Sequence, residues 1–128
     1  MAQTATAPAA SASINACGTN GNNGALNCMY ILGSNHTAVT RVRGWSEPGS
    51  YFIGTDVFEQ VTYPSGAVFC QSATLTISSS SEIAGCEKAP GGTFSIPAGT
   101  YCATLYNQYY TGASWVWIQA ARNCGTIS

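Results

Sequence analysis

The chain has 128 residues, four Lys or Arg, five Asp or Glu and a formal net charge of −1. Its length fits one domain able to bury roughly two-thirds of its unfolded surface. Four cations are too few for the clustered contacts of a nucleic-acid binder or a polybasic membrane segment, and no apolar run approaches the ~20 residues of a spanning helix, so neither nucleic-acid binding nor membrane insertion is expected.

Residues 1–13 form a tail of small Ala, Thr, Ser and Pro side chains. It lacks the basic start and apolar centre of an intact signal peptide and is read as the segment following a removed one, with a composition that predicts flexibility. Residues 14–128 are expected to form the folded domain. Turn formers crowd residues 15–24, which are read as a loop. Residues 25–32 and 37–43 are strand candidates, followed by a Pro-Gly turn at Pro48 and Gly49. Residues 51–53 and 55–63 read as strand, bulged at Gly54. Tyr63-Pro64-Ser65-Gly66 is the clearest hairpin turn, and residues 67–78 are its partner strand, with Phe69, Ala73, Leu75 and Ile77 on one face. Residues 79–92 read as loop, with one helical turn near Glu82. The last strands are expected over residues 93–96, 100–107 and 113–121. Turn signals recur every ten or so residues and apolar spacing nowhere keeps a helical period, so the fold class is all-β, a single-domain antiparallel sandwich or barrel.

Six cysteines, Cys17, Cys28, Cys70, Cys86, Cys102 and Cys124, run from one end of the chain to the other. An even count with no Cys-x-x-Cys pair suits a disulfide framework made outside the cytosol, so an extracellular location, secreted or surface-displayed, is expected. Six cysteines allow fifteen connectivities. The local set Cys17 with Cys28, Cys70 with Cys86 and Cys102 with Cys124 is preferred, because each bridge closes a loop rich in turn residues.

No convergent catalytic set is visible. His36 is the one histidine, read as a residue at a strand start. It stands in Asn35-His36-Thr37, which also matches a glycosylation sequon and suits an exposed turn. The acids Glu47, Asp56, Glu59, Glu82 and Glu87 are read as solvated, and Asp56 and Glu59 fall on opposite faces of a regular strand. No metal ligands stand at ligand spacing, and no cofactor is expected.

The aromatics are the one cluster above background. Tyr106, Tyr109, Tyr110, Trp115 and Trp117 are interleaved with small polar residues, the composition of binding surfaces. Trp115 and Trp117 share one strand face while Val116 and Ile118 share the other, so either the tryptophans are core or they stand on the outer surface. In kind the chain resembles small secreted β-proteins of bacteria or fungi, such as microbial α-amylase inhibitors. Their Trp-Arg-Tyr triplet has no counterpart here, Gly44-Trp45-Ser46 being the nearest string, and no family is assigned.

The expected function is therefore non-enzymatic contact through the aromatic C-terminal hairpin, with a protein (another chain or a second copy) or a carbohydrate as partner. Two alternatives stand beside it. One is a subunit of an extracellular filament or coat whose tail adds a strand to a neighbour's sheet. The other is a secreted inhibitor of a hydrolase, presenting a braced loop such as Ala89-Pro90-Gly91-Gly92.

Overall fold

A computed structural model describes residues 13–128; the tail, apart from Ser13, lies outside the described residues. The fold is all-β. Its elements are β1 (Ile14–Thr19), β2 (Leu26–Gly33), β3 (Val39–Glu47), a 3-10 turn (Ser50–Phe52), β4 (Asp56–Thr62), β5 (Val68–Gln71), β6 (Leu75–Thr76), β7 (Ala84–Lys88), β8 (Gly99–Tyr110) and β9 (Trp115–Ile127). Two antiparallel sheets face each other. The first has the order β1-β2-β3-β7, the second β5-β4-β8-β9, with β6 also pairing β4.

Several sequence expectations give way to tertiary pairing. Residues 15–19 are strand rather than loop: β1 pairs with β2 throughout and alternates half-buried and exposed positions. The pairing outweighs the turn propensity of its Asn and Gly residues. The strand expected over 67–78 is broken in two. There the Ser72 hydroxyl accepts the Glu59 backbone N–H at 2.9 Å and the Ser72 N–H donates to the Glu59 carbonyl at 2.8 Å, which bends the chain away from a regular ladder. Residues 84–88, expected as loop, pair with β3 as an edge strand. Residues 93–96 supply only an isolated bridge between Phe94 and Val39. The hairpin turn after Tyr63 forms as expected, with Gly66 at φ 89 and its N–H donating to the Tyr63 carbonyl.

The inward residues form two apolar clusters. One gathers Met29, Ile31, Val39, Val42, Val61, Tyr101, Ala103 and Ile127. The other gathers Ala25, Phe52, Val57, Ile77, Ala84, Leu105, Ala120 and Ala121. Strands β4, β8 and β9 contribute to both, and between them β2, β3, β4 and β9 present Asn27, Ser46, Glu59 and Asn123. Asn27, Ser46 and Glu59 are fully buried. Gly44 lets the sheets close beside this belt: a Cβ there would lie 2.4 Å from Val61 Cγ2 and 3.1 Å from Ala103 Cβ.

The disulfides are Cys17–Cys28, Cys70–Cys86 and Cys102–Cys124, the set preferred from the sequence. The first and third join directly opposed residues of neighbouring strands. Cys70–Cys86 ties β5 of one sheet to β7 of the other.

Candidate functional site

The longest strands, β8 and β9, form one hairpin whose register runs from Gly99 opposite Ile127 to Tyr110 opposite Trp115. Its inner half belongs to the sandwich, because β4 covers β8 only as far as Asn107, the partner of Val57. Residues 108–117 continue past the end of β4. The Thr111 hydroxyl ties the turn by accepting from the Ser114 N–H at 3.2 Å, and Gly112 supplies a left-handed φ of 95.

Trp115 is 63% exposed, Trp117 40%, Tyr109 53%, Tyr110 50%, Val116 36% and Ile118 41%. Neither sequence alternative describes this arrangement fully. The tryptophans stand on the outer face, and Val116 and Ile118 turn to the inner side, but there the hairpin has outrun the opposite sheet. Both faces are open. Tyr106 is half-buried and stacks on Phe58 with ring centres 5.0 Å apart, while Trp117 meets Phe58 edge-on at 4.7 Å. Farther out Tyr110 and Trp115 lie 5.1 Å apart. The structure thus brings Tyr106 and Trp117 together at the root of the hairpin and Tyr110 and Trp115 near its tip. Tyr109 points to the other face with Val116, its register partner. Contacts of this kind, worth ~0.5–1.5 kcal/mol each beyond area burial, hold exposed rings in place. A cleft of about 230 Å³ at the root is lined by Gly54, Thr55, Asp56, Gln108 and Trp115.

The edge of β9 is the second feature of the site, and sequence reasoning missed it. As the outermost strand of its sheet, β9 presents main-chain groups outward. The ladder shifts register between Leu105 and Tyr106, leaving Ala120 as the extra residue on β9. The Ala120 carbonyl accepts from Asn20 Nδ2 at 3.1 Å and Asn23 Nδ2 at 2.9 Å, so the loop after β1 covers the edge there. From 115 to 119 no such cover is present among the described residues. A thirteen-residue final strand at the sheet edge would have raised this reading, since the expected strand ended at 121.

The remaining candidates fall elsewhere. His36 is half-buried, with Nδ1 2.9 Å from the Ile96 carbonyl oxygen. Asn35 accepts from the Thr37 N–H in a tight exposed turn. Residues 89–92 are exposed between β7 and the Phe94 bridge. On the outer face of the first sheet, Arg43 lies over the Trp45 ring at 5.5 Å and Arg41 pairs with Glu87 at 2.6 Å. Among the described residues, no three His, Cys, Asp or Glu side chains come together as a metal site.

Glu59 is not a solvated acid. It follows Val57 and precedes Val61 in the inward alternation of β4, and that parity was its signal in the sequence. Asn27 Nδ2 donates to its Oε1 at 2.9 Å and Ser46 Oγ to its Oε2 at 2.7 Å. Burial pushes its pKa up from 4.5 to about 8, against the lowering effect of the Ser46 and Asn27 hydrogen bonds. Asn123 Nδ2 donates to Asn27 Oδ1 at 2.9 Å and to the Asn27 carbonyl at 3.0 Å, tying β9 to the belt. Enclosed between the sheets, the carboxyl anchors strands. No protein-family model, curated protein or solved structure matches this chain at a significant level.

Proposed function

We propose that this protein works outside the cell by contact rather than by turnover, and that the outer half of the β8–β9 hairpin is the contacting surface. The observation that carries the reading is the run from 108 to 117, which leaves the sandwich with large apolar side chains on both faces and no charged residue. An exposed apolar surface of this kind costs solubility unless something covers it. The rigid Tyr and Trp rings lose little side-chain freedom on docking. Three disulfides are typical of proteins made outside the cytosol. Contact rather than chemistry is supported by the two groups best suited to proton transfer: the His36 ring is engaged with a main-chain carbonyl and Glu59 is enclosed by the belt.

The test compares the wild-type chain with W115S/W117S on immobilised polysaccharides, on a set of secreted hydrolases and on the wild-type chain itself. Binding in any arm that W115S/W117S abolishes, with an unchanged circular dichroism spectrum, is the expected result. Equal retention of both chains, or substrate turnover that H36A or E47Q removes, would overturn the reading.

A further inference from the structure

We infer that the hairpin's partner is a second copy of this chain, docked edge to edge through residues 115–119 of β9. The inference rests on the contact reading above and names its occupant. Two β9 strands would pair antiparallel about a two-fold axis at Trp117. Trp117 then faces Trp117 of the second copy, Val116 faces Ile118, and Trp115 faces Gln119. The two second sheets become one continuous sheet.

The edges of the molecule single out this segment. A free edge is normally blunted by shortness, charge, proline or a bulge. In the first sheet, β7 has five residues, ends in Glu87 and Lys88 and runs into Pro90. The opposite edge, β1, has six residues and carries a disulfide to its neighbour. On the far side of the second sheet, β5 has four residues and β6 two. Along β9, the bulge at Ala120 and the Asn20 and Asn23 side chains guard the middle. Among the described residues, 115–119, Trp-Val-Trp-Ile-Gln, have none of these protections, and they combine strong β-propensity with no charge.

Charge suits a second copy, and the area sets how tightly it can hold. A two-fold axis sets each segment against itself, which a charged segment would resist and this one does not. Buried aromatic rings contribute about 150–250 Å² each, so Trp115 and Trp117 at their observed exposures offer on the order of 150–260 Å² per copy. With Val116, Ile118 and the main chain of both copies added, the total stays below the roughly 1,200–2,000 Å² of stable interfaces and in the range of weak, transient ones. A reversible dimer is the outcome. Among the described residues, Ile14 enters β1 beside Gly125 and the loop after β1 reaches β9 no farther than Ala120, through Asn20 and Asn23.

The experiment is sedimentation velocity of the full chain over a concentration series, with amide exchange on the wild type as a readout that needs no variant. Wild type is expected to pass from monomer to dimer, with slower exchange across 115–119 as concentration rises. W117K should remain monomeric. V116K and I118E should each weaken the dimer about tenfold, since each change acts at two symmetric pairs. The V116K/I118E double variant, in which opposite charges meet across the stated register, should recover most of that loss. A wild type that is monomeric up to its solubility limit overturns the inference, as does a double variant no tighter than either single one. A monomer whose tryptophan-dependent binding to polysaccharide, hydrolase or lipid vesicle persists overturns the second-copy assignment while leaving the contact reading standing.

Discussion

Asn27 donates to Glu59 across the sandwich at 2.9 Å, where the two apolar clusters meet. Ser46 is shared between them, accepting from Asn27 Nδ2 at 2.9 Å and donating to Glu59 Oε2 at 2.7 Å. The same Ser46 oxygen can accept the proton of the neutral carboxyl, so the site satisfies Glu59 in either state. A buried network with every member paired fixes how the sheets face each other, because sliding one strand by a residue would orphan a polar group in the core.

Stability should fall as pH rises from about 4.5 to about 8. Glu59 has its folded-state pKa raised from 4.5 to about 8. Over that window the folded chain keeps a proton that the unfolded chain has released. The contribution is complete below 4.5 and gone once pH passes the folded value, with a slope of at most ~1.4 kcal/mol per pH unit. Glu82, held below its ordinary value by the Ser78 hydrogen bonds, acts in the opposite sense and only below the window. Urea unfolding at a series of pH values checks this, and a flat profile between 5 and 8 would count against it.

Glu59→Gln and Glu59→Ala should separate the network's charge from its shape. Glutamine keeps a carbonyl for Asn27 and removes the ionisable group, so its stability should be flat over the same pH range. Alanine leaves Asn27 and Ser46 without their partner and opens a cavity, costing about 2–5 kcal/mol. Equal pH slopes in wild type and E59Q would show that another group titrates.

Much of this was legible in the chain, and the misses have physical reasons. The β-branched runs, the turn at Gly66 and the cysteine pairing rest on local signals. The alternation of Val57, Glu59 and Val61 carries the signal for an inward Glu59, yet the sequence reads it as solvated, because its partners come from β2 and β3 and nothing local marks a buried carboxyl there as satisfiable. The residues of β1 carry turn propensity, and only pairing with β2 makes them strand. Likewise the aromatic composition of the hairpin was visible, whereas the exposure of both its faces depends on the β4 ladder beginning at Val57 opposite Asn107, short of the end of β8 at Tyr110.

Gly44→Ala should be among the most damaging single substitutions, because the added methyl would lie 2.4 Å from Val61 Cγ2. Overpacking of this kind costs typically ~1–3 kcal/mol and more where the backbone cannot move. The obstructing atom belongs to a side chain, so G44A/V61A should be less destabilised than the sum of its single variants. Chemical denaturation of the three proteins measures the coupling, and strict additivity would place the strain elsewhere.

Removing the Cys102–Cys124 bridge should weaken the domain without disturbing the contacting surface. The bridge joins opposed residues at the inner end of the β8–β9 ladder, with Cys102 also paired to Thr62 of β4. Trp115 and Trp117 lie at the other end of that ladder, held by Tyr110 and Phe58. C102S/C124S should therefore lose about 2–4 kcal/mol of stability while acrylamide quenching of the exposed tryptophans stays at the wild-type level. C70S/C86S removes the one bridge between the sheets, across a sequence separation of 16 against 22 for Cys102–Cys124. Loop-closure entropy differs by only a few tenths of a kcal/mol between those lengths. The distinguishing signature is local: amides of β5 and β7 should exchange faster in C70S/C86S and those of 115–119 should not. Faster exchange at 115–119 in either variant would mean that the hairpin's order depends on a distant covalent brace rather than on its own ring contacts.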